Sequence, residues 1–146
     1  MKRTLWGVAL ATAAALSPAL AIAQDNGNAE DGAIVFKRCA ACHKIGPDAT
    51  NGNGPVLTNI IGRQAGTAAD FAYSDLNKAA GKAGLVWTED LIFEYLIDPT
   101  PFLKKFLTDK GQADQAAGAT KMVFKVPDDQ DRRDVIAYVK TFSAKK

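Results

Sequence analysis

Apolar positions at helical spacing mark both ends of the chain's folded part. Residues 30–36, Glu30-Asp31-Gly32-Ala33-Ile34-Val35-Phe36, open with two acids that suit a helix N-terminus, and Gly32 and Phe36, four apart, share a face. At the other end Pro127-Asp128-Asp129 starts a helix in which Val135, Ile136, Val139 and Phe142 form an apolar stripe, with Tyr138 beside it. The small residue at Gly32 predicts that these two helices cross closely. Between them, Thr88 is a good N-cap for a helix through Leu91, Ile92, Tyr95 and Leu96 that stops at Asp98-Pro99. Thr100-Pro101 opens a further helix through Phe102, Leu103, Phe106 and Leu107. No segment alternates as a strand does, and the remainder, rich in Gly, Asn and Ala, reads as loop. The expected class is all-α, with stripes too thin to make a full core by themselves.

The first 23 residues have a different pattern. Lys2 and Arg3 precede an apolar run from Leu5 to Leu16, a break at Ser17-Pro18 and a small-residue end, Ala21-Ile22-Ala23. That order predicts a secretory signal removed after Ala23, leaving residues 24–146 as one domain in the bacterial periplasm. The alternative is an uncleaved anchor over Thr4 to Ala23. Without Lys2 and Arg3 the chain has equal numbers of basic and acidic residues. Neutrality gives no generic attraction to nucleic acid or anionic lipid. Charge is nevertheless uneven, with five lysines against two aspartates from Pro99 to Val126 and three acids without a base from Gln24 to Phe36.

Both cysteines and the single histidine fall in one run, Cys39-Ala40-Ala41-Cys42-His43. A disulfide across so short a loop would gain little stability. A thioredoxin-like pair needs strands and helices in alternation, and zinc needs a fourth ligand that the chain lacks. Covalent haem c needs only what is present: Cys39 and Cys42 as thioether donors one turn apart and His43 as ligand to iron. One haem per chain would also complete the thin core. Met122 is the only methionine besides the initiator, and its thioether is the natural soft ligand for the second axial position. With both positions filled, electron transfer is expected and substrate chemistry at the metal is not. A haem enzyme or gas sensor that gives up Met122 is the alternative.

These residues together resemble a class I cytochrome c, of the bacterial cytochrome c2 and mitochondrial type, through nearly all of residues 24–146. Gly32, Phe36 and Tyr138 match the family's helix-crossing contact; Gly54-Pro55 matches the pair at the axial histidine; Gly62-Arg63 matches its Gly-Arg; Phe71 to Lys78 matches Phe-x-Tyr-Thr/Ser-Asp-x-Asn-Lys; and Thr120-Lys121-Met122-Val123-Phe124 matches Thr-Lys-Met-x-Phe. The resemblance implies that Pro55 packs on the axial histidine and a neighbouring carbonyl takes its ring proton. It also implies that Arg63, Tyr73 and Trp87 lie at the haem propionates, that Asn77 joins an internal polar network, and that Tyr95 bonds the methionine sulfur. The region from Phe102 to Gly118 is longer than in the shortest members, so an extra helix or loop is expected before Met122.

The same resemblance implies a monomeric shuttle from a cytochrome bc complex to a photosynthetic reaction centre, oxidase or reductase. Docking would use a lysine ring, with Lys44, Lys104, Lys105, Lys121 and Lys125 as candidates.

Overall fold

A computed structural model describes residues 27–144; the signal, its cleavage site and the anchor alternative lie outside the described residues. The helices are α1 (Ala29–Cys39), α2 (Asp75–Lys82), α3 (Glu89–Tyr95), α4 (Pro99–Asp109) and α5 (Asp129–Lys140), with a short 3-10 turn at Ala113–Gln115. The fold is all-α: extended pairing among the described residues is limited to one isolated bridge, Gln64 with Val86. No described helix is long and apolar enough to cross a membrane.

α1 starts where Asn28 accepts the backbone N–H of Glu30 at 2.8 Å, and its first-turn acids and last-turn Lys37 and Arg38 both oppose the helix dipole. α5 starts in the same way, with Asp128 accepting from the Asp131 amide at 2.9 Å. The two helices make the most extensive packing among the described elements. Gly32 permits it, because a Cβ there would sit 2.0 Å from the Asp134 carbonyl oxygen and 2.8 Å from Tyr138 Cβ. Phe36 and Tyr138 close the crossing with ring centroids 5.2 Å apart. The buried Asp134 side chain accepts the Asn28 amide at 2.7 Å, so α5 also pins the start of α1. Phe142 lies beyond the end of α5 and stacks edge-on to Tyr138 at 5.2 Å.

Two features depart from the expectation, and a third gives an expected segment its path. α4 begins at Pro99, ahead of Thr100-Pro101, because a proline is well suited to the first helical position, where no N–H is required. α2 falls in a stretch read as loop. Its N-cap is Ser74, which accepts the Asn77 amide at 3.3 Å, and it buries Leu76, Asn77, Ala80 and Gly81. Gly81 lies so close to Ala65 that a Cβ would meet that residue's carbonyl oxygen at 2.0 Å. An interface built from small residues and an asparagine carries little apolar periodicity, so the pattern could not show it. Finally, the longer segment before Met122 is α4 continuing to Asp109, a turn at Gly111 (φ 72°), the 3-10 turn and a second left-handed glycine, Gly118 (φ 77°). Leu103 and Leu107 of α4 are fully buried, which fixes this segment to the body of the fold.

Candidate haem cleft

The Cys39–His43 run leaves α1 in a tight turn, with the amides of Cys42 and His43 both donating to the Cys39 carbonyl at 3.0 and 2.9 Å. The turn brings both sulfurs and the imidazole to one cleft of about 370 Å³, a volume suited to a bound organic group. Cys39 is half-buried and Cys42 exposed, and the two are not joined in a disulfide. Burial pushes the Cys39 thiol up from its ordinary value, opposed by Arg38 and reinforced by Cys42.

His43 is held from two sides. Its Nδ1 lies 2.7 Å from the Pro55 carbonyl oxygen; a carbonyl only accepts, so Nδ1 carries the proton and the Nε2 lone pair is left for a metal. Gly54 lies against the ring, its amide donating to the Cys42 carbonyl at 2.9 Å. Burial lowers the His43 pKa, the Pro55 bond opposes this, and nearby Arg63 adds to the lowering.

Met122 lines the same cleft, half-buried. Its amide donates to Thr120 Oγ1 at 3.4 Å, and the Thr120 amide donates to Thr100 Oγ1 at 3.2 Å, tying the loop to the start of α4. Tyr95 hydrogen-bonds Thr120, and burial raises the Tyr95 pKa while that bond lowers it. Trp87 stands edge-on to Tyr95 at 4.9 Å. Tyr73, its pKa raised by burial, hydrogen-bonds the Ala68 backbone.

Of the predicted site residues, Cys39, Cys42, His43, Pro55, Tyr73, Asn77, Trp87, Tyr95 and Met122 all line the cleft. Arg63 stands behind it, donating to the Val56 carbonyl at 2.7 Å and the Thr58 carbonyl at 3.3 Å. Thr120 belongs to the site and was not assigned to it from the sequence, although it stands two residues before Met122. Leu57, Ile60, Leu96, Val135 and Val139 supply apolar wall; the stripe of α5 thus serves the cleft as well as the helix crossing.

The five candidate lysines are spread differently. Lys121 lines the cleft and donates to the Ala72 carbonyl, whereas Lys105 pairs with Asp109 at 2.5 Å and Lys125 pairs with Asp98. Lys104 is half-buried on α4. Lys44 donates to the Ala40 carbonyl at 3.1 Å and lines a larger, shallow groove of about 720 Å³ between α1 and residues 44–50. That groove is open to solvent and is lined by none of Cys39, Cys42 and Met122, so the chemistry belongs to the smaller cleft.

The donor set fits haem c: two cysteine sulfurs and an imidazole with its second nitrogen unprotonated meet a thioether within apolar walls. Asn77 Oδ1 is buried in this cleft without a protein partner, as expected of a polar atom that serves a bound group or water. A family profile described as cytochrome c matches residues 29–143. The chain belongs to the cytochrome c family. It is 59% identical over 118 residues to cytochrome c2 iso-1 of Rhodospirillum centenum, covering 81% of this chain and 98% of that one. Cytochrome c2 of Rhodopseudomonas palustris is 55% identical over 131 residues, 90% of each chain. The solved structure of the Rhodospirillum centenum cytochrome c2 superposes with a TM-score of 0.80, covering 81% of this chain and all of that one. As a class I c-type cytochrome of the bacterial c2 type, the chain carries one covalently attached haem c and is an electron carrier rather than an enzyme.

Proposed function

We propose that this cytochrome c carries single electrons in the periplasm from a cytochrome bc complex to a photosynthetic reaction centre or a terminal oxidase or reductase, as a soluble monomer. Cys39 and Cys42 would hold the haem through thioether bonds, and His43 and Met122 would ligate its iron. The observation that carries this reading is that His43, with its Nδ1 proton fixed on Pro55 at 2.7 Å, and Met122, with its amide on Thr120, line one apolar cleft. When bound, the haem supplies a one-electron couple between ferric and ferrous iron.

The chain's own residues do the rest. The Pro55 carbonyl orients the imidazole and strengthens it as a donor. Thr120 and Tyr95 set the position of the methionine loop. Trp87, Leu57, Ile60, Leu96 and Val139 exclude water, and Asn77 offers an acceptor to the buried group. Arg63 and Tyr73 stand close enough to interact electrostatically, a pairing suited to haem carboxylates. The exposed Val123 and Phe124 follow Lys121 in the chain and line the cleft with it, an apolar contact area with a basic side chain for transient docking to an acidic partner. Export by a signal over residues 1–23 and a domain over residues 24–146 complete the reading.

Stopped-flow oxidation of the purified ferrous protein by each candidate acceptor tests the shuttle, with intact mass reporting the thioether bonds and the N-terminus. A low-spin spectrum with a weak near-infrared sulfur-to-iron band is expected. A high-spin ferric spectrum, or rapid carbon monoxide binding by the native ferrous protein, would replace the shuttle with a ligand-binding haem. A mass that retains residues 1–23 would make it a tethered carrier.

A further inference from the structure

Asn59 has a left-handed backbone, φ 58°, one of two non-glycine residues in that region among the described residues. Its conformation has a use. The Asn59 amide donates to the Phe142 carbonyl at 3.1 Å, and its side-chain Oδ1 accepts the Ala144 amide at 2.8 Å. One residue thus clasps the chain beyond the end of α5 at two points, and asparagine, like aspartate, combines a tolerated positive φ with a side-chain acceptor.

The segment so clasped is the one that holds His43. Residues 55–60 contain the Pro55 carbonyl that takes the imidazole proton, and Leu57 and Ile60, which line the cleft. The segment is tied back toward the haem-binding turn by the Leu57 amide on the Lys44 carbonyl at 2.9 Å. Thr58 Oγ1 adds to this, accepting the Gly46 amide at 2.9 Å and donating to the Gly46 carbonyl at 2.7 Å. Arg63 holds the Val56 and Thr58 carbonyls from behind. The Leu57 and Thr58 ties run to the haem-binding turn and the residues just after it, and the Arg63 ties stay within the same segment of the chain. Asn59 supplies the opposing one, from the end of the C-terminal helix, and Ile60 beside it is buried. Pulled from both sides, the segment keeps the Pro55 carbonyl at hydrogen-bonding distance.

We infer that Asn59 is a positioning residue for His43, and that its clasp on Phe142 and Ala144 couples the C-terminal end of the chain to the His43–Pro55 hydrogen bond. The coupling tunes the donor strength of the imidazole, and so the ease with which the carrier gives up its electron. This rests on the reading of His43 as an axial ligand.

The test uses the full-length, haem-loaded protein. Asn59→Gly keeps the positive φ and removes the side-chain acceptor; Ala144→Pro removes the donor at an exposed position; Asn59→Asp restores an acceptor. The readouts are the exchange rate of the His43 Nδ1 proton in the ferrous protein, followed by NMR relative to the slowest amides of α1, and the reduction potential. Asn59→Gly and Ala144→Pro should each speed that exchange by about two- to tenfold, the effect of one hydrogen bond of ordinary net strength. Each should also raise the potential, because a looser bond makes a weaker donor and stabilises ferric iron less. The double variant should match the single ones, and Asn59→Asp should behave as the parent. Unchanged exchange and potential in both single variants, with only a lower melting temperature, would overturn the inference and leave the clasp as a simple tie of the chain end. The parent's low-spin spectrum decides the ligand assignment separately.

Discussion

Gly54 and His43 are in contact through a missing side chain: a Cβ on Gly54 would lie 2.5 Å from His43 Cε1, 2.7 Å from Nδ1 and 2.9 Å from Nε2. The glycine is therefore a requirement of the imidazole's position. Gly54→Ala should push the ring off the Pro55 carbonyl and destabilise the protein by about 1–3 kcal/mol, the usual cost of overpacking. Thermal unfolding reads the stability, and the absorption spectrum reads the ligand. A low-spin spectrum and an unchanged melting temperature would show that the ring has room to move.

Gly32 makes a different kind of contact. The nearest atom to an added Cβ is the backbone oxygen of Asp134, at 2.0 Å, and backbone in a helix cannot swing away as a side-chain tip can. Gly32→Ala should therefore fall at the upper end of the overpacking range, about 3 kcal/mol. Denaturant unfolding measures it; a loss below about 1 kcal/mol would mean that α1 and α5 separate without penalty.

Thr120 joins Tyr95 to the methionine loop. Tyr95 has a folded pKa raised above the ordinary 10.0, first by burial, with the Thr120 bond acting in the opposite direction. Its contribution to stability is fully present below pH 10 and is lost as pH rises through the higher folded value. Thr120→Val removes the lowering contact, so the Tyr95 titration should move further up. Tyr95→Phe should flatten the alkaline fall in stability, leaving the part due to Tyr73, whose pKa burial also raises. Unfolding followed from pH 8 to 12 in the three proteins, with ultraviolet detection of tyrosinate, checks both statements.

The lysines should not contribute equally to docking. Lys121 lines the cleft mouth, while Lys105 is paired with Asp109 along α4. Lys121→Ala should slow the reaction with an acidic redox partner at low salt by about two- to fivefold, and the difference should fade as salt rises. Lys105→Ala should have a smaller effect. Second-order rates against ionic strength decide this, and equal losses from the two variants would favour a general field over a local contact.

Much of the site was legible in the sequence because its parts are unusual residues in short runs. The Cys39–His43 run has few chemical uses, and Met122, the one methionine besides the initiator, lines the same cleft as His43. The crossing of α1 and α5 followed from Gly32 and a periodic stripe. α2 did not follow from anything similar: it buries Asn77 and Gly81, residues that propensity assigns to loops, and its partner at Ala65 is a backbone carbonyl with no side-chain signature. Arg63 shows the limit from another direction. Its place near the site was expected, yet its guanidinium is anchored on the Val56 and Thr58 carbonyls, acceptors that every residue carries and that no sequence pattern distinguishes.

Side-chain identity alone specified the chemistry: which atoms can bond a haem, which can ligate iron, and which helix faces carry the apolar stripes. Tertiary structure decided the placement of everything that acts through backbone. It put the Pro55 carbonyl on His43, the Thr120 hydroxyl under Met122, and the end of α5 against Asn59. Side-chain chemistry is written residue by residue, but a carbonyl's direction is set by the dihedrals of its neighbours, and those are fixed only once the whole chain has packed.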